Sequence, residues 1–494
     1  MKKINLLCLI LALVMVIGLF AGCGSEKPAD TTAAPVADDD GTPAPVVDDK
    51  DYKYGSVHGI TWTWGGTADK ADLTAVQREE ERNAMYYLDT GNTRECVPFT
   101  YNYDTVGALF ESGQMPTIFN VAATEPQRLI MNGWGRDITA CVEAVGINLA
   151  DFNQGILETY MDEEGKLYGL PVDGYAMCLY GHGGLYKEAG LVDANGEPVP
   201  PKTWDEVIEH AEIIREKTGK GGIALQATDN QGGWIFSNIA WNYGADLCVL
   251  NEETGKYVSN VNTPEVISAL EWWKKACNSP ALSGTPSTDN LNANMAMFKS
   301  GEASHFVVHP GVIGNLTAID KDGMNPKDVY CFNMPAGPDG LQYNLLGGSG
   351  RWFSSNATDE QVIAALEYCI NYGLWTQEWT EAAKNSDIQG WKDKAAKNQI
   401  VLPYYPVYSY PYTEEYNAEL FAIMADVYDY EKQAKTMYEH TSVHPEEEVE
   451  CQNLYAELTA ILQEIAVNPD ADCAAMAEQA HNNYQALLDI AQGD

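Results

Sequence analysis

The sequence predicts an α/β protein whose mainly parallel sheets are flanked by helices and shared between two domains. Three observations lead there. From Ile60 to Val121, short β-rich runs alternate with helical patterns, which implies right-handed crossovers and parallel strands covered on both faces. About 440 residues follow an apolar leader and a polar spacer, too many for one ordinary core and suited to two, whose segments can interleave. Helix starts also carry explicit capping chemistry along the whole chain.

The elements follow in order. Ile60-Thr61-Trp62-Thr63-Trp64 reads as a strand halted by Gly65-Gly66, and a helical pattern then runs to Asp89, ended by Thr90-Gly91. Val97 to Tyr101 is a second strand, Thr105 to Ser112 a short helix, and Met115 to Val121 a third strand. Thr203-Trp204-Asp205-Glu206 is a capping box opening a helix from Trp204 to Thr218, closed by Gly219. Thr263-Pro264-Glu265 puts proline at a first helical position, and Thr358-Asp359-Glu360-Gln361 opens a helix that Gly373 ends. Val449 to Ala466 and Ala474 to Ala491 are amphipathic helices. There is no internal repeat.

Lys2 and Lys3 precede an apolar stretch, Ile4 to Phe20, and then Ala21-Gly22-Cys23. This resembles a bacterial lipoprotein signal, with Cys23 as the site of a diacylglyceryl thioether and cleavage after residue 22. Each buried CH₂ contributes about 0.8 kcal/mol, so two or three acyl chains hold a protein at a membrane stably. From Gly24 to Asp49 the chain is mostly Ala, Pro, Thr, Asp and Gly, a composition that cannot bury enough surface to order itself. The expectation is a lipidated cysteine and disordered spacer over 23–50. It sits on the outer face of the cytoplasmic membrane, with membrane contact through the lipid alone.

The formal charge is −41, and loss of the leader with its two lysines takes it near −43. Such acidity repels nucleic acid and anionic headgroups. Cys8 and Cys23 apart, nine scattered cysteines remain with no C-x-x-C spacing, several inside apolar runs. That is not a disulfide scaffold, and free buried thiols are expected. Gly347-Gly348-Ser349-Gly350 lacks the Lys-Ser/Thr of a phosphate loop. Asp320-Lys321-Asp322-Gly323 and Asn468-Pro469-Asp470-Ala471-Asp472 miss the calcium-loop pattern. With no Gly-x-Ser-x-Gly or His-Glu-x-x-His either, no catalytic residue, metal or cofactor is expected.

Gly165-Lys166-Leu167-Tyr168-Gly169-Leu170-Pro171 resembles the extracellular solute-binding family that serves sugar ABC importers, and so does Leu185-Tyr186-Lys187-Glu188-Ala189-Gly190-Leu191. The likeness continues through Pro201 to Glu206, Met297-Phe298-Lys299-Ser300-Gly301-Glu302-Ala303 and Leu346 to Gly350. It departs at Tyr180-Gly181-His182, where Tyr-Tyr-Asn is usual. The resemblance implies a periplasmic-binding-protein-like fold of two lobes around a ligand cleft. The N-terminal lobe would take 51–173 and 350–404, and the C-terminal lobe 174–349 and 405–494. Crossings fall near Val172 to Tyr175, Leu346 to Trp352 and Pro403 to Tyr408, with the glycines of the second either absorbing lobe rotation or allowing tight packing beneath the cleft.

A sugar needs flat aromatics for its C–H faces and directional polar groups for its hydroxyls. Trp62 and Trp64 lie at the C-terminal end of the first strand, where open α/β sheets place ligands, and strand alternation turns both to one face, cleft or core. Thr124 follows the third strand, as a hydroxyl partner or a helix cap. By resemblance, Trp234 stacks on the sugar, Asp173 and Tyr175 supply polar contacts at the first crossing, and His309 lines the cleft. Arg351 and Trp352 follow the glycines of the second crossing, Arg351 as a fork for hydroxyls or a carboxylate. Trp272, Trp273, Trp375, Trp379 and Trp391 are expected to pack the lobes. The function implied is a monomeric, non-enzymatic receptor that captures an oligosaccharide for the permease of an ABC importer. Receptors for another solute or for sensing, and a surface glycoside hydrolase, are the alternatives.

Overall fold

The computed structural model describes residues 52–66, 73–103, 105–403, 405–439 and 442–493; the leader, Cys23 and the spacer lie outside them. β1 (Thr61–Gly65) pairs in parallel with β2 (Thr93–Val97) and β3 (Ile118–Ala122), the crossover pattern expected of the first hundred folded residues. β2 lies four residues earlier than the sequence suggests. Pro98 has no N–H to give a ladder, so pairing stops at Val97.

The remaining strands are β4 (Gly169–Ala176), β5 (Cys178–His182), β6 (Ile223–Ala224), β7 (Cys248–Asn251), β8 (Lys256–Ser259), β9 (Leu282–Ser283), β10 (His305–Val308), β11 (Val329–Phe332), β12 (Asn344–Phe353) and β13 (Val443–Pro445). One sheet runs β13-β12-β3-β1-β2 with β4 on β12, a second runs β11-β5-β10-β6-β9, and β7 and β8 form a ribbon. The pairings of β12 with β3 and β4, and of β5 with β10 and β11, are antiparallel, so both sheets are mixed. Helices cover the two sheets, giving a two-lobed α/β molecule.

Each lobe closes on its own core. Trp62, Tyr86, Phe119, Trp352, Phe353 and Tyr368 belong to the core of the first. Trp204, Trp241, Trp272 and Trp273 pack with the two C-terminal helices, Cys451–Val467 and Cys473–Ala491, in the second. Trp391 and Ile400, within the 350–404 stretch expected in the N-terminal lobe, are buried with Phe298 and Phe306 in a third cluster, on the side of the second sheet. All nine described cysteines are free thiols, six of them buried.

The capping chemistry is as the sequence suggests, with one shift. Thr358 and Gln361 form the full reciprocal box. Thr203 accepts from the Glu206 N–H at 3.2 Å, but the Glu206 carboxylate accepts from Lys202 N–H at 2.6 Å instead of from Thr203. At Tyr180-Gly181-His182 the departure from the family pattern has a physical account. A Cβ at Gly181 would sit 2.2 Å from the Phe332 ring, and His182 Nδ1 caps the following helix by accepting from Leu185 N–H at 3.4 Å.

β4 and β12 run side by side from Leu346↔Ala176 to Trp352↔Gly169, carrying the chain between the lobes as an antiparallel ribbon. Gly347, Gly348 and Gly350 all have φ outside the left-handed region. Cβ atoms there would come within 2.4 Å of the Tyr175 hydroxyl, 2.3 Å of the Asp173 carbonyl oxygen and 2.3 Å of the Tyr160 hydroxyl, respectively. Close approach, not unusual backbone angles, is what requires glycine at this crossing.

Candidate functional site

Where β4 leaves the first lobe, a cavity of about 640 Å³ opens, lined among others by Asp173, Tyr175, His309, Asn315, Gln399 and Tyr405. Tyr175 and His309 line it, and Trp234, outside the lining, packs against both rings. Tyr175 lies 5.6 Å from His309 and 6.3 Å, edge-on, from Trp234, and Trp234 lies 6.2 Å from His309. Each is positioned by a different element. Tyr175 stands on β4, and His309 follows β10 just before the turn Pro310–Val312. Trp234 lies in the first turn of the helix Gln231–Asn242. That turn is anchored by the Asn230 amide, which donates to the Gln452 carbonyl and side-chain oxygens, both at 3.0 Å. Burial lowers the His309 pKa, so at neutral pH its ring offers one donor and one acceptor.

Glu446, just after β13, accepts hydrogen bonds from Tyr455 at 2.9 Å and from Trp234, and burial pushes its carboxyl up to about 7. Further out the lobes are bridged directly. Gln452 Nε2 donates to Thr124 Oγ1 at 3.2 Å, and the Tyr103 hydroxyl donates to Glu450, which Asn453 also reaches. Arg128 stands 3.8 Å over the Tyr103 ring and 3.7 Å from Glu125, whose carboxylate accepts from Tyr101. Glu450 holds a left-handed backbone (φ +53°) at the start of the helix Cys451–Val467, a conformation non-glycine residues adopt only at a cost. Charge-assisted bonds of this kind contribute about 1.5–3 kcal/mol each, so the bridge favours lobes held together.

The fates of the sequence candidates differ. Tyr175, Trp234 and His309 come together, with Asp173 on the exposed edge, where it accepts from Ser349 N at 2.8 Å and Ser349 Oγ at 3.0 Å. Thr124 is buried between the lobes, accepting from Gln452 and donating to Glu125 at 3.2 Å. Trp62 and Trp352 are corrections: both are fully buried. The Trp62 indole donates to the Tyr86 hydroxyl at 3.1 Å and that of Trp352 to the Trp134 carbonyl at 3.2 Å, so both are core residues. Trp64 and Arg351 meet elsewhere in the first lobe, with the Arg351 guanidinium 4.7 Å over the Trp64 ring. Cys23 lies outside the described residues. Sequence reasoning missed Glu446, Glu450 and Gln452, which sit in an acid-rich stretch that reads as solvated surface.

Residues 97–372, more than half of the chain, match the family model of the bacterial extracellular solute-binding proteins. A binding protein of Brucella abortus (strain 2308) is 25% identical over 264 residues, 52% of this chain; the match spans 58% of that protein's length. The GacH receptor of Streptomyces glaucescens GLA.O, solved unliganded and with acarbose, has a similar fold, with TM-score 0.62 and 17% identity over 88% of this chain and 99% of that one. The cyclic α-maltosyl-1,6-maltose binding protein of Arthrobacter globiformis gives TM-score 0.59 and 19% identity over 88% and 99%. By the stretch that the family model matches and by its two-lobed fold, the chain belongs to the bacterial extracellular solute-binding proteins.

Proposed function

We propose that the mature protein, anchored by lipid on Cys23, captures a saccharide in the interlobe cavity and delivers it unaltered to the permease of an ABC importer. The observation that carries this reading is the pair of rings, Tyr175 and His309, on the cavity wall beside polar groups of both lobes, with Trp234 packed against both rings. Rings supply the apolar face that sugar C–H groups need, and Asp173, Asn315 and Gln399 supply acceptors and donors for hydroxyls. Acarbose in the GacH receptor and cyclic maltosyl-maltose in the Arthrobacter protein support a saccharide as the class of ligand. The lobes would be 51–173 with 350–404 and 174–349 with 405–494, save that Trp391 and Ile400 pack with the second sheet's residues.

Mass spectrometry of small molecules released from purified protein by denaturation tests the class; release of a non-saccharide would replace it. With the released sugar as titrant, Trp234→Ala should weaken binding roughly 5- to 150-fold, the equivalent of about 1–3 kcal/mol of ring burial. Unchanged affinity by calorimetry would return Trp234 to the packing of the lobe. For the anchor, Cys23→Ala should abolish incorporation of labelled fatty acid and release the protein from membranes or leave it as precursor. Among the described residues no helix is long and apolar enough to cross a membrane. Labelling that persists in the variant would overturn the anchor.

A further inference from the structure

A second cavity, of about 440 Å³, opens in the first lobe beside the end of β1 and shares no lining residue with the interlobe cavity. Arg78, Arg82, Arg94, Asn120, Glu79 and Trp64 line it. Arg94 stands 5.4 Å and Arg351 4.7 Å from the Trp64 ring. Three of the chain's seven arginines therefore line one cavity of a protein of formal charge −41, and a fourth, Arg351, stands against its Trp64 ring. Glu79 is the one carboxylate among the described lining residues, and it is engaged by Arg94 Nη2 at 3.5 Å.

Arg351 carries unmet donors beside this cavity. Its Nε and Nη1 are enclosed with no hydrogen-bond partner, on a side chain that faces the Trp64 ring. Buried guanidinium N–H groups are ordinarily paired, and the fork they form matches a carboxylate, sulfate or phosphate in two parallel bonds. Asn120 pairs with Arg351 across β3 and β12 and opens onto the cavity with a side-chain amide.

We infer that this pocket binds an oxyanion, a carboxylate or a sulfate or phosphate ester, with Arg351 and Arg94 as its donors, Arg82 at its mouth and Trp64 as its floor. The anion enters beside Trp64 and takes up the unmet Arg351 donors. This site is separate from the saccharide reading and stands or falls without it.

Calorimetric titration of the full mature chain with inorganic phosphate, sulfate and D-glucuronate, with D-glucose as the neutral control, tests the pocket. At least one anion should bind saturably with Kd below about 10 mM, more weakly as NaCl is raised, and D-glucose should give no signal that depends on these arginines. Arg351→Met keeps the length of the side chain without its unmet donors. It should weaken anion binding about tenfold or more and raise the unfolding midpoint in anion-free buffer. Arg82→Gln, at an exposed position that does not endanger folding, should weaken it severalfold. Binding of glucuronate alone would mark a carboxylate site, and binding of phosphate or sulfate an ester site. The pocket is overturned if no anion binds, or if both variants bind as the wild type does.

Discussion

Glu447→Gln should flatten a loss of stability that the wild-type protein suffers between pH 6.5 and pH 8. Glu447 is only 8% exposed, accepts from the Trp241 indole at 3.1 Å, and is pushed up to about 8, first by burial and further by Asp246 and Glu448. A carboxyl whose pKa is raised on folding contributes stability that is whole below its ordinary value of 4.5 and is lost as pH rises through 8. His305 works in the opposite sense. Fully buried and lowered to about 3, it contributes stability present above 6.5 and lost as pH falls. The two trends overlap below pH 6.5, and only the acids act above it, with Glu446 finishing near 7. At about 1.4 kcal/mol per pKa unit, Glu447 alone should remove about 1.5–2 kcal/mol across that window. Urea unfolding followed by tryptophan fluorescence at pH 6.5, 7.2 and 8 reads the effect. Equal slopes in wild type and variant would mean that Glu447 is ionised in the folded protein throughout.

That carboxyl also shows where sequence reading stops. Glu446-Glu447-Glu448 looks like any solvated acidic run, and its burial depends on Trp241 and Tyr455, which lie far away or on the next helix. Local chemistry was far more legible: the helix Trp204–Thr218 begins and ends where Thr203 and Gly219 place it. Alternation along β1 rightly turned Trp62 and Trp64 to one face, but it carries no information on what covers that face. Tyr86 and Tyr368 bury Trp62 completely and leave Trp64 half-buried beside a cavity. Tyr175, Trp234 and His309 are far apart in sequence, and no periodicity brings them together; only likeness to a family pointed at them. The glycines of the second crossing admit two readings from sequence, freedom of backbone or tight packing, and their surroundings make them a matter of space.

Gly348→Ala should destabilise the protein by about 3 kcal/mol or more, or prevent folding, although the change adds one methyl group. Gly348 pairs with Gly174 in the ribbon of β4 and β12. A Cβ there would meet the Asp173 carbonyl oxygen at 2.3 Å and the Gly174 Cα at 3.1 Å, both backbone atoms that no rotamer change can move aside. Relief requires β12 to separate from β4, and Asp173 opposes this by accepting from both the backbone and the side chain of Ser349. Because the ribbon joins the lobes, protein that does fold should also hold them at an altered angle and bind its solute more weakly. Gly390→Ala is the matching control. It lies inside the helix Glu381–Ala395 with nothing within 4 Å of the added methyl, so it should stabilise by about 0.5–1 kcal/mol through helix propensity. Thermal unfolding of the two variants beside wild type separates crowding at the crossing from the generic effect of glycine replacement. A Gly348→Ala protein that melts with wild type would show that the ribbon relaxes at little cost, and the crossing would then be a compliant hinge rather than a tightly packed one.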